Sequence, residues 1–417
     1  MCRIKILHIL VAANMDLKIL LLCKKFPYPL RDGESIAIHN LTKALAKHGC
    51  EISLLCLNTS KHKFDVDTLP SHVDQYTAIH AIDVQTEVDA KGAFKNLFSK
   101  DSYHISRFVS QDFRQKLIVL LESENYDIVQ LETLTMAIYL PEIKTYSEAS
   151  IVMRSHNVEH QIWERLAENI TSPFRKLYIN YLTRKLKRFE IAQLEKYDLL
   201  LTVSQNDLDY FKNAGYTGIS QVVPIGIDLS RYKLKTPTES KDLFFIGSMD
   251  WMPNSYGLNW FIDNVWPEVL VKFPEISLHV AGRNAQALGP KQGIINHGEV
   301  ESALDFMHSY GIMIVPLFSG SGTRVKIIEG LAMGKVIVST AIGAEGIDLT
   351  HGKQLFLANT KEEFITAIAQ SLNNPEALER MSEEARTFIE LHYDGDLIAE
   401  KLIPQYHNLI TAKKHIS

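Results

Sequence analysis

Short apolar runs alternate with longer amphipathic segments along almost the whole chain, and this alternation limits the folds that the chain can adopt. It is typical of β-α-β units, in which helices join parallel strands. The pattern therefore predicts two successive doubly wound α/β sets. The predicted strands are residues 18–23, 51–57, 126–132, 150–157, 199–204 and 221–227 in the first set, and 242–249, 276–282, 311–317, 335–340 and 353–358 in the second.

A chain of 417 residues is too long for one ordinary core, which favours two domains. The polar segment 228–241 separates the two α/β sets. We predict a Rossmann-like domain at residues 15–227, a second at 228–392, and a C-terminal helix within 393–417. Because open parallel sheets bind ligands at the carboxyl ends of their strands, the cleft between the domains is the expected site.

Composition excludes several classes of protein. The chain is 46% hydrophobic and 22% charged, as soluble globular proteins are, and its net charge of -5 argues against a general nucleic-acid binder. The four cysteines, at positions 2, 23, 50 and 56, lack Cys-x-x-Cys spacing. This disfavours a disulfide framework or a zinc site and favours the reducing cytoplasm.

The first 14 residues combine a basic start, an apolar run and small residues, as a signal peptide does. The apolar run is short, however, and the stretch from Met15 onward has the pattern of a first strand. We favour Met15 as the start and a cytoplasmic location. No stretch of the sequence approaches the ~20 apolar residues that a membrane span requires.

The sequence pattern of residues 174–196 predicts a long helix that is rich in lysine and arginine. A basic amphipathic helix can bind the anionic inner face of a membrane, which would make the protein peripheral there. The same window also contains Glu190 and Glu195, so an ordinary solvated helix face is the alternative. The cations are Arg175, Lys176, Arg184, Lys185, Lys187 and Arg188.

The stretch 319–330, SGSGTRVKIIEG, follows a predicted strand and opens a predicted helix. Gly320 and Gly322 allow the backbone to approach a ligand closely. We expect the helix to begin near Thr323 and to direct unpaired N–H groups and its positive dipole end at a phosphate.

Charged side chains follow these glycines. Arg324 and Lys326 can donate charge-assisted hydrogen bonds to phosphate oxygens, and Glu329 can accept hydrogen bonds from ribose hydroxyls. An ordinary strand-to-helix turn with a solvated arginine and lysine is the alternative interpretation. The stretch is not a P-loop, and no G-x-G-x-x-G follows the first strand, which argues against a nicotinamide dehydrogenase.

Other polar residues follow predicted strands. His156 can act there as a hydrogen-bond partner or take a proton, although a structural histidine is the alternative. Gly33 in the loop after the first strand permits close approach of a substrate, although a plain surface loop explains it equally well. Trp251, near the first strand of the second set, is either a core residue or a stacking surface, and we favour the core.

Taken together and in order, these motifs resemble the retaining, nucleotide-sugar-dependent glycosyltransferases of family 4. The variant with GSGTR and MDWMPN is most similar to bacterial sugar transferases of exopolysaccharide and cell-surface glycan clusters. The resemblance implies the GT-B architecture, in which two Rossmann-like domains face each other across a cleft and a C-terminal helix crosses back to the first domain. The matching segments are residues 32–35, 155–157, 203–207, 222–228, 245–250, 279–283, 319–340 and 345–347.

The resemblance also implies roles for individual residues. Three residues are expected to be catalytic: His156, Arg324 and Lys326. The donor is expected to contact Gly33, Gly247, Ser248, Asn254, Arg283, Gly320, Ser321, Gly322, Thr323 and Glu329. The acceptor is expected to contact Arg31, Asp32, Glu34 and Asn157.

Two departures from the family pattern affect the donor site. The family has a pair of glutamates, of which the second matches Glu329, but Ser321 stands at the position of the first. The family also has an arginine and a lysine after the first strand of the second domain, replaced here approximately by Ser248 and Asn254. Donor binding is weakened unless other groups take over these roles.

We expect Arg324 and Lys326 to supply the missing positive charge. The implied reaction is sugar transfer with retention of anomeric configuration, from a nucleoside-diphosphate sugar to a hydroxyl of a glycan, a lipid-linked glycan or another acceptor. Preorganised cations and a helix dipole stabilise the leaving diphosphate, so no metal or other cofactor is expected. A catalytically inactive GT-B subunit and a GT-B-type sugar-nucleotide epimerase or hydrolase are the alternatives.

Overall fold

The computed structural model describes residues 17–30, 32–85, 102–168, 170, 172–234, 240–320 and 322–414. Two parallel sheets form its framework. The strands of the first sheet are β1 Lys18–Cys23, β2 Glu51–Thr59, β3 Ala78–Val84, β4 Ile128–Glu132, β5 Ser150–Ser155, β6 Leu199–Thr202 and β7 Ser220–Val222. Those of the second are β8 Leu243–Ile246, β9 Leu278–Ala281, β10 Ile294–Gly298, β11 Ile312–Val315, β12 Val336–Ser339 and β13 Phe356–Leu357.

Helices connect the strands. The α-helices are α1 Gly33–Lys47, α2 Tyr103–Ser106, α3 Gln111–Ser123, α4 Leu140–Tyr146, α5 Glu159–Glu168, α6 Pro173–Gln193, α7 Gln205–Asn213, α8 Met252–Asn264, α9 Trp266–Lys272, α10 Ala303–Ser309, α11 Val325–Ala332, α12 Lys361–Asn373, α13 Pro375–His392 and α14 Gly395–Lys414. Short 3-10 helices lie at Ser60–His62, Val66–Thr68, Leu134–Tyr139, Leu194–Lys196, Leu229–Arg231 and Ala285–Leu288.

Both sheets have doubly wound topology. The first runs β3-β2-β1-β4-β5-β6-β7 and the second β10-β9-β8-β11-β12-β13, with parallel pairing throughout the described strands. In each sheet the order reverses beside the first strand, which is where such sheets bind ligands. The predicted α/β class and GT-B architecture are confirmed.

Two edge strands were not predicted. Each predicted run overlaps an observed strand, but β3 and β10 come from segments without a continuous apolar run. The β3 residues are partly or fully exposed, and the middle of β10 is exposed. An edge strand needs less burial than a central one, so its sequence carries a weaker hydrophobic signal.

The C-terminal helix α14 returns to the first sheet and packs against α1. Its residues Ile398, Leu402, Tyr406 and Leu409 lie in one buried cluster with β1, β2 and α1 residues. This confirms the crossing helix. The boundaries predicted at residues 227/228 and 392/393 stay predictions.

Two chain segments, residues 226–227 and 393–395, run side by side where the chain passes between the half of the protein built on the first sheet and the half built on the second. Ile227 N donates to Tyr393 O over 2.8 Å, and Gly395 N donates to Ile227 O over 3.0 Å. A Cβ atom on Gly226 would lie 2.9 Å from Gly395 Cα, so glycine permits this close approach. The pairing joins the two connections into one narrow strap.

The predicted basic helix is present as α6, followed by the 3-10 helix Leu194–Lys196. Of the helices that the structure describes, none has both the length and the apolar character needed to cross a bilayer.

Candidate active site

The carboxyl ends of the two sheets face each other across a cleft, where loops from the two halves meet. A Cβ atom on Gly33 would lie 3.5 Å from Val325 Cγ2, and one on Gly322 would lie 2.5 Å from Asn157 Oδ1. A pocket of about 310 Å³ lies between the halves, and Asn157, Thr323 and Glu345 are among the residues that line it. The structure therefore brings residues predicted from separate motifs to one place.

His156 lies just after β5, and a buried carboxylate contacts its imidazole ring. Its Nε2 atom is 2.6 Å from Glu132 Oε2, and both side chains are buried. Burial opposes ionisation of Glu132, but Arg154, His156 and Gln130 together lower the pKa of this carboxyl. Glu132 thus holds a negative charge against the ring and leaves Nδ1 as the nitrogen available to a ligand.

Glu132 belongs to a buried polar chain that the motifs did not reveal. Gln130 Nε2 donates to Glu132 Oε1 over 2.6 Å, and the Tyr406 hydroxyl of α14 donates to Gln130 Oε1. The Arg154 guanidinium lies 3.5 Å from Glu132 and donates to Ala37 O over 3.1 Å. The chain connects the crossing helix to the cleft histidine. The sequence signal for Glu132 was its place at the end of a predicted strand.

The glycine loop leads into α11, and the helix begins later than expected. It starts at Val325 with Arg324 as the N-cap residue, so the predicted start near Thr323 is wrong by about two residues. Gly320 and Gly322 both have positive φ, at 115° and 80°, and occupy the left-handed region that favours glycine. The loop holds Thr323 so that its Oγ1 is buried and has no hydrogen-bond partner among the described residues.

Arg324 is buried at the start of α11. Its Nη1 donates to Gly322 O over 2.7 Å, and its guanidinium lies 5.1 Å from the centre of the Trp251 ring. Burial lowers the pKa of Arg324 to about 10, so the side chain stays charged near neutral pH. Trp251 is 38% exposed and forms part of the cleft wall, so its expected place in the core is wrong.

Lys326 reaches from α11 to the end of β8. Its Nζ donates to Ile246 O over 3.0 Å and to Asn254 Oδ1 over 3.2 Å, and lies 4.7 Å from the centre of the Phe245 ring. Burial, and then repulsion from Arg324, lower the pKa of Lys326 to about 7. The ammonium therefore lies beside Asn254, the position where the family pattern has a cation.

The other predicted donor residues of the second domain surround this ammonium. Asn254 Nδ2 donates to Ser248 O over 3.0 Å, and a Cβ atom on Gly247 would lie 2.6 Å from the same amide nitrogen. Arg283 has an exposed side chain, and its carbonyl accepts from Met249 N over 2.9 Å. The backbone thus places Arg283 at the rim, and no described contact brings its guanidinium to the cations.

Glu329 is held by a tyrosine from the segment that joins the halves. The Tyr232 hydroxyl donates to Glu329 Oε1 over 3.0 Å. Burial raises the pKa of Glu329, although the Tyr232 hydroxyl and Arg231 act in the opposite direction. The second carboxylate oxygen makes no hydrogen bond within the described part of the chain, so it is available to a ribose hydroxyl.

The loop after β1 is fixed by ion pairs. Asp32 caps α1 by accepting from Ser35 N over 2.9 Å, and it accepts from Lys25 Nζ over 2.6 Å. Glu34 pairs with Lys24 at 2.9 Å. Burial opposes ionisation of Glu34, but Lys24, Lys25 and His156 lower the pKa of this carboxyl. Because His156 is among these causes, the Glu34 carboxylate lies close enough to interact electrostatically with the cleft histidine.

These pairs form one wall of a pocket of about 540 Å³ in the first domain. The opposite wall carries Arg107 and the rings of His104 and Trp163, whose centres are 3.9 Å apart. Burial, and then Arg107, lower the pKa of His104 to about 4, so this ring is neutral. The pocket therefore combines aromatic faces, which can contact a ring of a ligand, with carboxylates and cations, which can bind the polar groups of that ligand.

An ion pair crosses the cleft beside these residues. Arg165 of α5 donates from Nη1 and Nη2 to the two carboxylate oxygens of Glu345, each over 3.1 Å, and Nη1 also donates to Gly320 O over 3.0 Å. A two-bond pair of this kind fixes orientation as well as distance. Arg165 was not predicted, because no sequence pattern relates it to a partner 180 residues away.

Two predicted residues, Arg31 and Ser321, lie outside the described residues. Asp-x-Asp stretches occur in the sequence at residues 65–67, 207–209 and 394–396. Within the part of the chain that the structure describes, no group of three or more His, Cys, Asp or Glu residues is arranged to hold a metal ion. Independence from metal stays a prediction.

Family models match both halves of the chain. Residues 32–231 match the model described as "Glycosyltransferase Family 4", and residues 240–374 match "Glycosyl transferases group 1". The chain is a glycosyltransferase, and its first half matches family 4. The resemblance to glycosyltransferases inferred from the motifs is confirmed, and so is the predicted enzyme class, a glycosyltransferase. Retention of anomeric configuration stays a prediction.

The glycosyltransferase is 22% identical over 402 residues to an uncharacterized 44.6 kDa protein in the cps region of Klebsiella pneumoniae, covering 93% of this chain and 99% of the relative. Its fold is similar to sucrose-phosphate synthase of Thermosynechococcus elongatus, with a TM-score of 0.70, 14% identity, and coverage of 95% and 100% of the two chains. It is also similar to Anabaena HepE in complex with UDP, with a TM-score of 0.66, 13% identity, and coverage of 94% and 100%. HepE has also been solved with UDP-glucose.

Proposed function

We propose that this glycosyltransferase transfers a sugar, with retention of anomeric configuration, from a nucleoside-diphosphate sugar to a hydroxyl of a glycan or lipid-linked acceptor. The acceptor belongs to cell-surface polysaccharide synthesis, and the enzyme acts in the cytoplasm at the inner face of the membrane. The cps region of the Klebsiella relative and the UDP and UDP-glucose bound by HepE support this proposal.

The observation that carries the proposal is the pair of buried cations beside the glycine loop. Arg324 and Lys326 lie close enough for Arg324 to lower the pKa of Lys326, and the hydrogen bonds of Lys326 go to neutral oxygens. Two neighbouring cations repel each other, and a diphosphate between the domains relieves that repulsion. As the bond to the sugar breaks, negative charge grows on the diphosphate, and these fixed cations stabilise it.

The acceptor then enters from the first domain. The pocket lined by Lys24, Glu34, His104 and Trp163 lies at the carboxyl ends of β1, β2 and β4, on the same side of the sheet as His156. Carboxylates accept hydrogen bonds from sugar hydroxyls, and aromatic rings contact sugar faces. We assign the acceptor to this pocket and the donor to the second domain.

The test is release of nucleoside diphosphate from UDP-, GDP- and ADP-sugars by the purified protein. The proposal expects turnover with one donor class, strongly reduced in Arg324→Ala and Glu329→Gln. Nuclear magnetic resonance of the product then reports the anomeric configuration. If the protein binds a donor but shows no turnover with any acceptor preparation, the result would instead support an inactive subunit. A product of inverted anomeric configuration would refute retention.

A further inference from the structure

Helix α6 presents an exposed stripe along one of its faces. Phe174, Leu177, Tyr181, Arg184 and Arg188 follow at spacings of three and four residues, so they lie on one side of the helix. Phe174 is 85% exposed, Leu177 70% and Tyr181 39%. We call these five residues the α6 stripe. Its first half is apolar and its second half is cationic.

The surroundings of the stripe are positively charged. Arg175, Lys176, Arg184 and Arg188 have no ion-pair partner among the described residues, whereas Lys187 pairs with Glu164 of α5 at 3.7 Å. Lys185 is buried and lies 4.6 Å from the centre of the Tyr181 ring. The four cations without an ion-pair partner, Lys185 not among them, are therefore available to another partner.

The two glutamates of the sequence window do not neutralise this face. Glu190 is buried, and it accepts from His160 N over 3.1 Å and contacts His160 Nδ1 at 2.5 Å. Glu195 is exposed but lies beyond the end of α6. One further carboxylate, Glu168 at the end of α5, is exposed and precedes α6 by a few residues in the sequence. Cations therefore outnumber acids on this face.

We propose that the α6 stripe is the surface that binds the anionic inner face of the membrane. Phe174 and Leu177 insert at the level of the headgroups, Tyr181 lies at the polar boundary, and the arginines contact lipid phosphates. Charge complementarity selects this partner, since an apolar surface flanked by unpaired cations matches apolar chains beneath anionic headgroups. The inference deepens the proposed location and is independent of the transfer reaction.

The orientation follows from the same helices. Leu186 of α6 and Trp163 of α5 line the pocket assigned to the acceptor. Leu186 is buried on the side of α6 opposite the stripe, so the helix itself separates this pocket from a membrane bound along the stripe.

The test is sedimentation of the full chain with vesicles of phosphatidylglycerol and phosphatidylcholine in equal parts, compared with phosphatidylcholine alone. Wild-type protein should bind the anionic vesicles, and less at high salt. Phe174→Ser with Leu177→Ser should weaken binding about tenfold. Arg184→Gln with Arg188→Gln should weaken it about fivefold for each charge removed.

The matched control is Val271→Ser with Lys272→Gln, which alters an exposed apolar residue and an adjacent exposed cation on α9. Its vesicle binding should equal that of wild type. Equal binding by the stripe variants, or no binding by wild type, would overturn the proposal. An oligomer in size-exclusion chromatography that Phe174→Ser with Leu177→Ser dissociates would assign the stripe to a second copy instead. Donor turnover in solution is measured separately, so loss of membrane binding and loss of transferase activity are distinguishable.

Discussion

The imidazole Nε2 of His156 and the carboxylate Oε2 of Glu132 lie 2.6 Å apart, buried beneath the cleft. Glu132→Gln keeps the shape of this side chain and removes its charge. A charge-assisted hydrogen bond is worth about 1.5–3 kcal/mol, so kcat/KM should fall about tenfold to a hundredfold. Glu190→Gln is the matched control, since it alters the buried His160 pair instead. It should lower thermal stability with little effect on kcat/KM; equal losses of activity in the two variants would contradict the prediction.

Lys326 should make donor binding depend on pH. Its pKa of about 7 means that the ammonium is largely neutral at pH 8, and a bound diphosphate restores the charge. Binding then takes up a proton, and affinity falls by up to about tenfold per pH unit above 7 and levels off below it. Calorimetry at pH 8 in buffers with different ionisation enthalpies measures the uptake. Lys326→Met should abolish it, and unchanged uptake in this variant would assign the proton to another group.

Arg324 should contribute more to nucleoside-diphosphate binding than His156 does. Arg324 lies at the N-terminus of α11 beside the glycine loop, whereas His156 approaches from the first domain. Arg324→Ala should weaken binding of the diphosphate about tenfold to a hundredfold, because it removes charge-assisted hydrogen bonds. His156→Ala should weaken it less. Calorimetry with nucleoside diphosphate alone compares the two, and equal or reversed effects would refute the assignment.

Gly322→Ala should impair catalysis beyond its effect on stability. Its Cβ atom would lie 2.5 Å from Asn157 Oδ1, which keeps the two halves of the cleft apart. Gly352→Ala is the matched control, with a similar positive φ of 75° and no atom within 4 Å. Both should lose about 1 kcal/mol of stability. Only Gly322→Ala should lower kcat, and adding Asn157→Gly should restore part of it.

Arg165→Ala should loosen the contact between the halves. The pair with Glu345 is partly exposed, so its loss should cost about 0.5–1 kcal/mol. Small-angle scattering should show a larger radius of gyration without donor, and KM for the donor should rise. Arg114→Ala is the control, because it breaks a pair with Glu142 within the first domain. A radius that changes equally in both variants would argue against a cross-cleft role.

Buried strands were predicted well because their apolar runs are continuous, as in β1 and β11. The edge strands β3 and β10 were missed because partial exposure interrupts their apolar pattern. In the site, the motif around Arg324 and Lys326 was evident because its residues are adjacent in sequence. Glu132 and Arg165 were not found, because their importance depends on partners that only the folded sheets and the closed cleft bring near.

The return of α14 to the first sheet affects the order in which the chain can complete its structure during synthesis. Leu402 and Tyr406 share a buried cluster with Ile19 and Ile52, so the side of the first sheet that α1 covers needs residues from the far end of the chain. On a ribosome, the second domain is fully translated before that cluster can close. The domain made first is thus completed only after the second domain has been synthesised, and one side of its sheet stays uncovered until α14 has emerged.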